Sequence, residues 1–137
     1  MKKICVVQST YCSEVTDKIF DTSVKILKAS SKDFDSYKVT GSFEIPVTIS
    51  RLIEKYEGFV AIGCIIKGET KNFEFISSAI TNSIMQLSIQ YKKPIGNAIL
   101  TCLNKEQAIS RINKGEEASK AVLDLSLIHI SEPTRRR

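Results

Sequence analysis

The segment Lys67-Gly68-Glu69-Thr70-Lys71-Asn72 combines residue types that hold an anion: a glycine for close backbone approach, a threonine able to cap a helix, and two lysines. An apolar run precedes it and a helically spaced segment follows, so free amides at the helix start, with Lys67 and Lys71 near, suit a phosphate. The same composition also makes a plain strand-to-helix turn, because capped turns with a glycine are common. A second candidate is Gly41-Ser42-Phe43-Glu44-Ile45-Pro46. Phe43 can wall a planar ligand and Glu44 can accept hydrogen bonds from hydroxyls; alternatively Phe43 is core and Glu44 favours the helix dipole. Arg111 can clamp a phosphate or be a solvated charge, and from residue type alone the surface reading is preferred. Tyr11 has the same choice between packing and stacking.

Other chemistries are poorly served. The Gly-x-Gly-x-x-Gly and Gly-x-x-x-x-Gly-Lys-Ser/Thr nucleotide fingerprints are absent. Cys5, Cys12, Cys64 and Cys102 lack C-x-x-C spacing, and His129 is the sole histidine, which argues against zinc. Cys5 and Cys64 lie in apolar runs and read as buried thiols of a reducing compartment. A phosphoacceptor signalling module is disfavoured, because Gln8, Ser9 and Thr10 stand where an acidic cluster would end the first strand.

The elements that must position these loops follow from apolar spacing. Ile4 to Val7, Tyr37 to Thr40, Phe59 to Ile66 and Ile95 to Leu103 read as strands. Phe59 to Ile66 lacks in-out alternation, as a strand buried on both faces does. Between them, Val15 to Leu27 with Ser13 as cap, Ile45 to Tyr56 with Pro46 in the first turn, and Phe73 to Leu87 stopped by Pro94 carry helical spacing. Asn104 and Gln107 resemble a capping box, and apolar spacing from Ala108 to Leu125 predicts one final helix running past Gly115. This alternation implies an α/β fold, a parallel sheet with helices on both faces and ligands beyond the carboxyl ends of its strands.

Composition supports one ordinary domain: 137 residues, 42% hydrophobic and 26% charged, enough to bury a core without metals or disulfides. The net charge of +5 falls to +3, 17 basic against 14 acidic residues, without residues 126–137, and the remaining charges are interspersed. That is a weak argument for nucleic acid, and none is expected as a partner. Residues 1–125 are expected to form the domain. Residues 126–137, with Ser126, Pro133 and three terminal arginines, are expected to be an appended or disordered tail rather than a basic functional one. The apolar start is too short for a signal peptide and no run approaches a membrane span, so a cytoplasmic protein without membrane partners is expected.

Taken together, Gly41-Ser42-Phe43-Glu44-Ile45-Pro46, Gly63-Cys64-Ile65-Ile66-Lys67-Gly68-Glu69-Thr70, Glu106-Gln107-Ala108 with Arg111, and Asn113-Lys114-Gly115-Glu116-Glu117-Ala118 resemble the lumazine synthase family. The resemblance runs from about Ile4 to Leu125. It implies a flavodoxin-like three-layer sandwich with a four-stranded parallel sheet in the order 2-1-3-4. It also implies condensation of 5-amino-6-(D-ribitylamino)uracil with 3,4-dihydroxy-2-butanone 4-phosphate, the penultimate step of riboflavin biosynthesis, with no cofactor and no metal.

The resemblance gives the residues roles. Tyr11 matches a stacking aromatic, Ser42 and Phe43 match backbone and wall contacts, and Glu44 matches a carboxylate that binds ribityl hydroxyls. Ile65 and Ile66 match strand-end backbone beside the ring; Gly68, Glu69 and Thr70 match the phosphate turn. Arg111 matches an arginine reaching that phosphate from a neighbouring subunit, and Lys114 a lysine near it. The implied partner is therefore the chain itself, in a homopentamer or an icosahedral shell of pentamers. Asn72 stands where the family usually has a proton-carrying histidine, which leaves Lys71, phosphate or solvent to move protons, or a shell protein that binds a ribityl-pyrimidine or flavin without efficient turnover. Asn97 stands where an aromatic often closes the ring pocket. The stretch between Arg111 and Asn113 is shorter than usual, and the chain starts almost at its first strand.

Overall fold

Nothing in Ile4-Cys5-Val6-Val7 can face water, and the segment lies inside the sheet as β1 (Ile4–Ser9), all of it buried. A computed structural model describes residues 3–131, with side chains through residue 126. After β1 come α1 (Ser13–Ala29), β2 (Phe34–Val39), α2 (Ile45–Leu52), β3 (Gly58–Ile66), α3 (Phe73–Tyr91), β4 (Ile95–Cys102), α4 (Lys105–Ile109) and α5 (Lys114–Ser131). Single 3-10 turns at Ser42–Glu44 and Lys67–Glu69 lead out of β2 and β3. The four strands form one parallel sheet in the order β2-β1-β3-β4, as expected.

Alternation along each strand divides the core in two. Val6, Ile62 and Leu100 pack towards Ile19 and Leu27 of α1 and Val122 of α5. Val7, Ala61 and Ile65 pack towards Ile45 and Ile49 of α2 and Ile80 and Ile84 of α3. The central strand β3 touches both layers, which is why it reads as an unbroken apolar run.

Several local expectations are corrected. Ser13 is the first residue of α1 rather than its cap; Cys12 holds that place in the left-handed conformation (φ 60°, ψ 47°), with no side-chain cap bond. The second helix ends at Leu52, leaving Ile53 and Tyr56 as core residues of the following turn. The final helix is two helices. Ser110 turns its hydroxyl onto the Gln107 carbonyl (2.7 Å), and Thr22 of α1 donates to the Ile112 carbonyl (3.0 Å), holding the connection against α1. Gly115 restarts the chain there because a methyl group would collide with the Ile19 carbonyl and Thr22 Oγ1. Asn104 does cap α4, its side chain accepting the Gln107 amide at 2.9 Å.

Ser126 does not interrupt α5. Its hydroxyl bonds the Val122 carbonyl one turn back (3.1 Å), an arrangement a helix tolerates, and the helix continues through Ser131. The rest of the expected tail, residues 132–137, lies outside the described residues. Among the described residues no helix is long and apolar enough to cross a membrane.

Candidate active site

Parallel pairing delivers all four strand ends to one edge of the sheet, and the order β2-β1-β3 sets the first three loops side by side. The backbone stitches the first two together, with the Thr10 amide on the Val39 carbonyl (2.8 Å) and the Tyr11 amide on the Thr40 carbonyl (3.0 Å). The first and third loops meet through side chains: the Tyr11 hydroxyl donates to Glu69 Oε1 at 2.6 Å. Tyr11 and Glu69 are 58 residues apart, and nothing local in the sequence announces this bond. Their strands are neighbours in the sheet order, and that order was the available signal.

The Ser42–Glu44 turn lies over β3. Gly41 donates its amide to Glu44 Oε1 (3.0 Å), so one carboxylate oxygen fixes the turn. Ser42 is buried, and its hydroxyl has no hydrogen-bond partner. Phe43 is 62% exposed, so the core alternative fails for it. Phe43, Glu44 and Val47 face Ala79, Ile80 and Ser83 of α3 across a groove of about 410 Å³. Gly63 of β3 makes the turn's position possible, because a Cβ there would occupy the space of Ser42 Oγ. Gly63→Ala is expected to cost about 1–3 kcal/mol in chemical denaturation and to displace the Phe43 and Glu44 side chains; a variant as stable as the parent would show that the turn is not wedged on β3.

In the third loop, Ile65 and Ile66 are buried and offer only backbone to the strand end, while Gly68, Glu69, Lys71 and Asn72 are exposed. Thr70 does not cap α3. That position belongs to Asn72, in the left-handed conformation (φ 57°, ψ 40°) and without a side-chain cap bond. Asparagine is among the non-glycine residues that adopt this conformation most readily. Lys67 pairs with Glu74 in the first turn of α3 (3.5 Å), whereas Lys71 makes no ion pair among the described residues.

The remaining candidates stand elsewhere. Arg111 is exposed in the connection between α4 and α5, beside the thiol of Cys102 at the end of β4. Lys114 pairs with Glu117 at 3.4 Å. Asn97 is paired in register with Ala61, well short of the strand ends, and its Oδ1 accepts the Ile99 amide at 2.9 Å. Within one chain, Arg111, Lys114 and Asn97 therefore do not join the Phe43 and Glu44 turn.

Burial pushes the Cys5 and Cys64 thiols up to about 12 and raises Cys12 and Cys102, so these cysteines are neutral near pH 7. Donating its bond to Glu69 raises Tyr11 to about 12, which keeps its hydroxyl protonated. Lys105 of α4 clamps Glu14 of α1 (2.7 Å) beside the same loops, a contact that residue types alone did not suggest.

A doubly covered parallel sheet with polar, glycine-bearing loops at its carboxyl edge defines a small-molecule-binding α/β protein. The model of the 6,7-dimethyl-8-ribityllumazine synthase family matches residues 1–129, and the chain belongs to that family. Proteins named 6,7-dimethyl-8-ribityllumazine synthase are similar to it. That of Corynebacterium efficiens is 32% identical over 92% of this chain and 84% of its own length. That of Bartonella bacilliformis is 35% identical over 88% and 85%. A relative in Rhodopseudomonas palustris, named 6,7-dimethyl-8-ribityllumazine synthase 1, is 32% identical over 88% and 82%.

Proposed function

We propose that this chain condenses 5-amino-6-(D-ribitylamino)uracil with 3,4-dihydroxy-2-butanone 4-phosphate, giving 6,7-dimethyl-8-ribityllumazine, phosphate and water, in the cytoplasmic synthesis of riboflavin. The reaction needs an imine, a phosphate elimination and a ring closure, so holding two substrates together supplies much of the rate. In this reading Tyr11, Ser42, Phe43 and Glu44 receive the ribitylated pyrimidine beside the Ile65 and Ile66 backbone. Gly68, Glu69 and Thr70 receive the phosphate, with Lys71 near. Arg111, Lys114 and Asn97 complete the site from the neighbouring subunit of a homopentamer, alone or within a shell.

The observation that carries the reading is the gathering of the first three loops at one sheet edge, where the Tyr11 hydroxyl joins the first loop to Glu69 of the third. The assembled protein, given both substrates, is expected to develop lumazine absorbance and release phosphate in equal amounts. Absence of both signals from a correctly assembled particle would overturn the reading. Asn72 favours a second one, a shell that binds a ribityl-pyrimidine or flavin without turnover, and binding without product in the same assay would establish it.

A further inference from the structure

Glu69 poses a physical problem that arises only within the proposed reaction, and its role rests on that reading. A carboxylate beside a bound phosphate repels it unless hydrogen bonds or cations offset the charge. Glu69 is exposed, yet it accepts a 2.6 Å bond from Tyr11, which reaches it across the sheet edge from the loop after β1. The groups around it are Lys67 and Lys71 of its own loop, Lys105 of α4 with its partner Glu14, and the thiols Cys12 and Cys64. The thiols stay neutral near pH 7, and the lysines favour an anion. Asn72 at the end of the same loop has no proton to exchange. Glu69 is therefore the one group in this turn that can both take up and release a proton at a lone pair already oriented by a fixed donor.

We propose that Glu69, aimed by the Tyr11 hydroxyl, is the proton carrier of this site, in place of the imidazole that Asn72 cannot supply. Imine formation between the pyrimidine amine and the ketone makes a C=N bond, breaks two N–H bonds and one C–O bond, and releases water. Glu69 takes one N–H proton as the amine adds, solvent protonates the carbonyl oxygen to a hydroxyl, and Glu69 returns its proton to that hydroxyl as it departs as water. The second N–H proton leaves as the C=N bond forms and restores the proton balance with solvent, so the carboxylate ends as it began. Tyr11 keeps its own proton and acts as a positioning residue.

Assembled wild type, Glu69→Gln, Tyr11→Phe and the double variant Glu69→Gln/Asn72→His are compared by kcat against pH, with particle mass as the control on assembly. The amide introduced by Glu69→Gln keeps an acceptor for Tyr11, while the proton-accepting carboxylate and its negative charge beside the phosphate are both lost. Glu69→Gln is expected to lower kcat about 10²-fold, with an unchanged or lower KM for the phosphate substrate, and to lose the acid limb of the profile. Tyr11→Phe lowers kcat less and moves that limb. The double variant regains rate, with a new limb in the imidazole range, about 6.5. Wild-type kcat in Glu69→Gln, or an equal loss at every pH with the limb kept, overturns the assignment while leaving the enzyme reading intact. A wild type without turnover overturns both.

Discussion

Arg111→Ala is expected to lower kcat/KM for the phosphate-bearing substrate about 10²- to 10³-fold, and mixing it with inactive Glu44→Ala subunits is expected to return activity that neither has alone. The size follows from the loss of a charged partner to phosphate, about 3–4 kcal/mol when one side of a desolvated charge pair is removed. Arg111 is exposed, makes no ion pair among the described residues, and stands beside Cys102 at the end of β4, away from the turn that carries Glu44. In the ring proposed above, built by a head-to-tail contact, each site would take Glu44 from one subunit and Arg111 from the next. Random equal mixing then leaves about a quarter of the sites with both groups intact. Recovery near that fraction, after dissociation and reassembly, supports a shared site. A site confined to one chain recovers nothing, because every chain in the mixture lacks one group.

That separation also explains why the surface reading of Arg111 was the natural one. In that proposal the ligand partner of Arg111 lies on another chain, so among the described residues neither burial nor an ion pair marks it, and the exposed flanks of α3 are equally unmarked. Phe75 and Ile89 are 78% and 68% exposed although their residue types suggest core, and a single chain offers them nothing to pack on. The sheet was legible for the opposite reason: β1 and β3 bury every residue, and short apolar runs alternating with helical segments fit a doubly covered parallel sheet. Helix ends were less legible. Cys12 and Asn72 both begin helices from the left-handed conformation, without the side-chain caps that Ser13 and Thr70 were expected to provide, because backbone geometry at a strand-to-helix corner outweighed capping chemistry. The break at Ser110 to Asn113 was hidden because apolar residues continue on both sides of it, while the close approach of Gly115 to the Ile19 carbonyl, which seats the restarted helix, is a contact between distant segments.

Asn72→His is expected to raise kcat at neutral pH about 10²-fold and to introduce a limb near the imidazole range. The substitution suits the backbone, since histidine, like asparagine, adopts φ near 57° more readily than most side chains. The carbonyl of residue 72, which accepts the Ile76 amide at 3.0 Å, is unaffected. A change in rate therefore reports chemistry rather than repair of a strained turn. The start of α3, a helix of 19 residues, disfavours a cation, so an imidazole there is held towards its neutral, proton-accepting form at pH 7. Asn72→Gly separates the two roles of the position. Glycine keeps the left-handed conformation and supplies no side chain, so it is expected to preserve stability within about 0.5 kcal/mol, to weaken substrate binding and to add no titrating limb. A rate unchanged in Asn72→His, with the wild-type profile intact, would mean that protons in this protein do not pass through residue 72, and that the rate is set by the other groups of the loop or by substrate positioning.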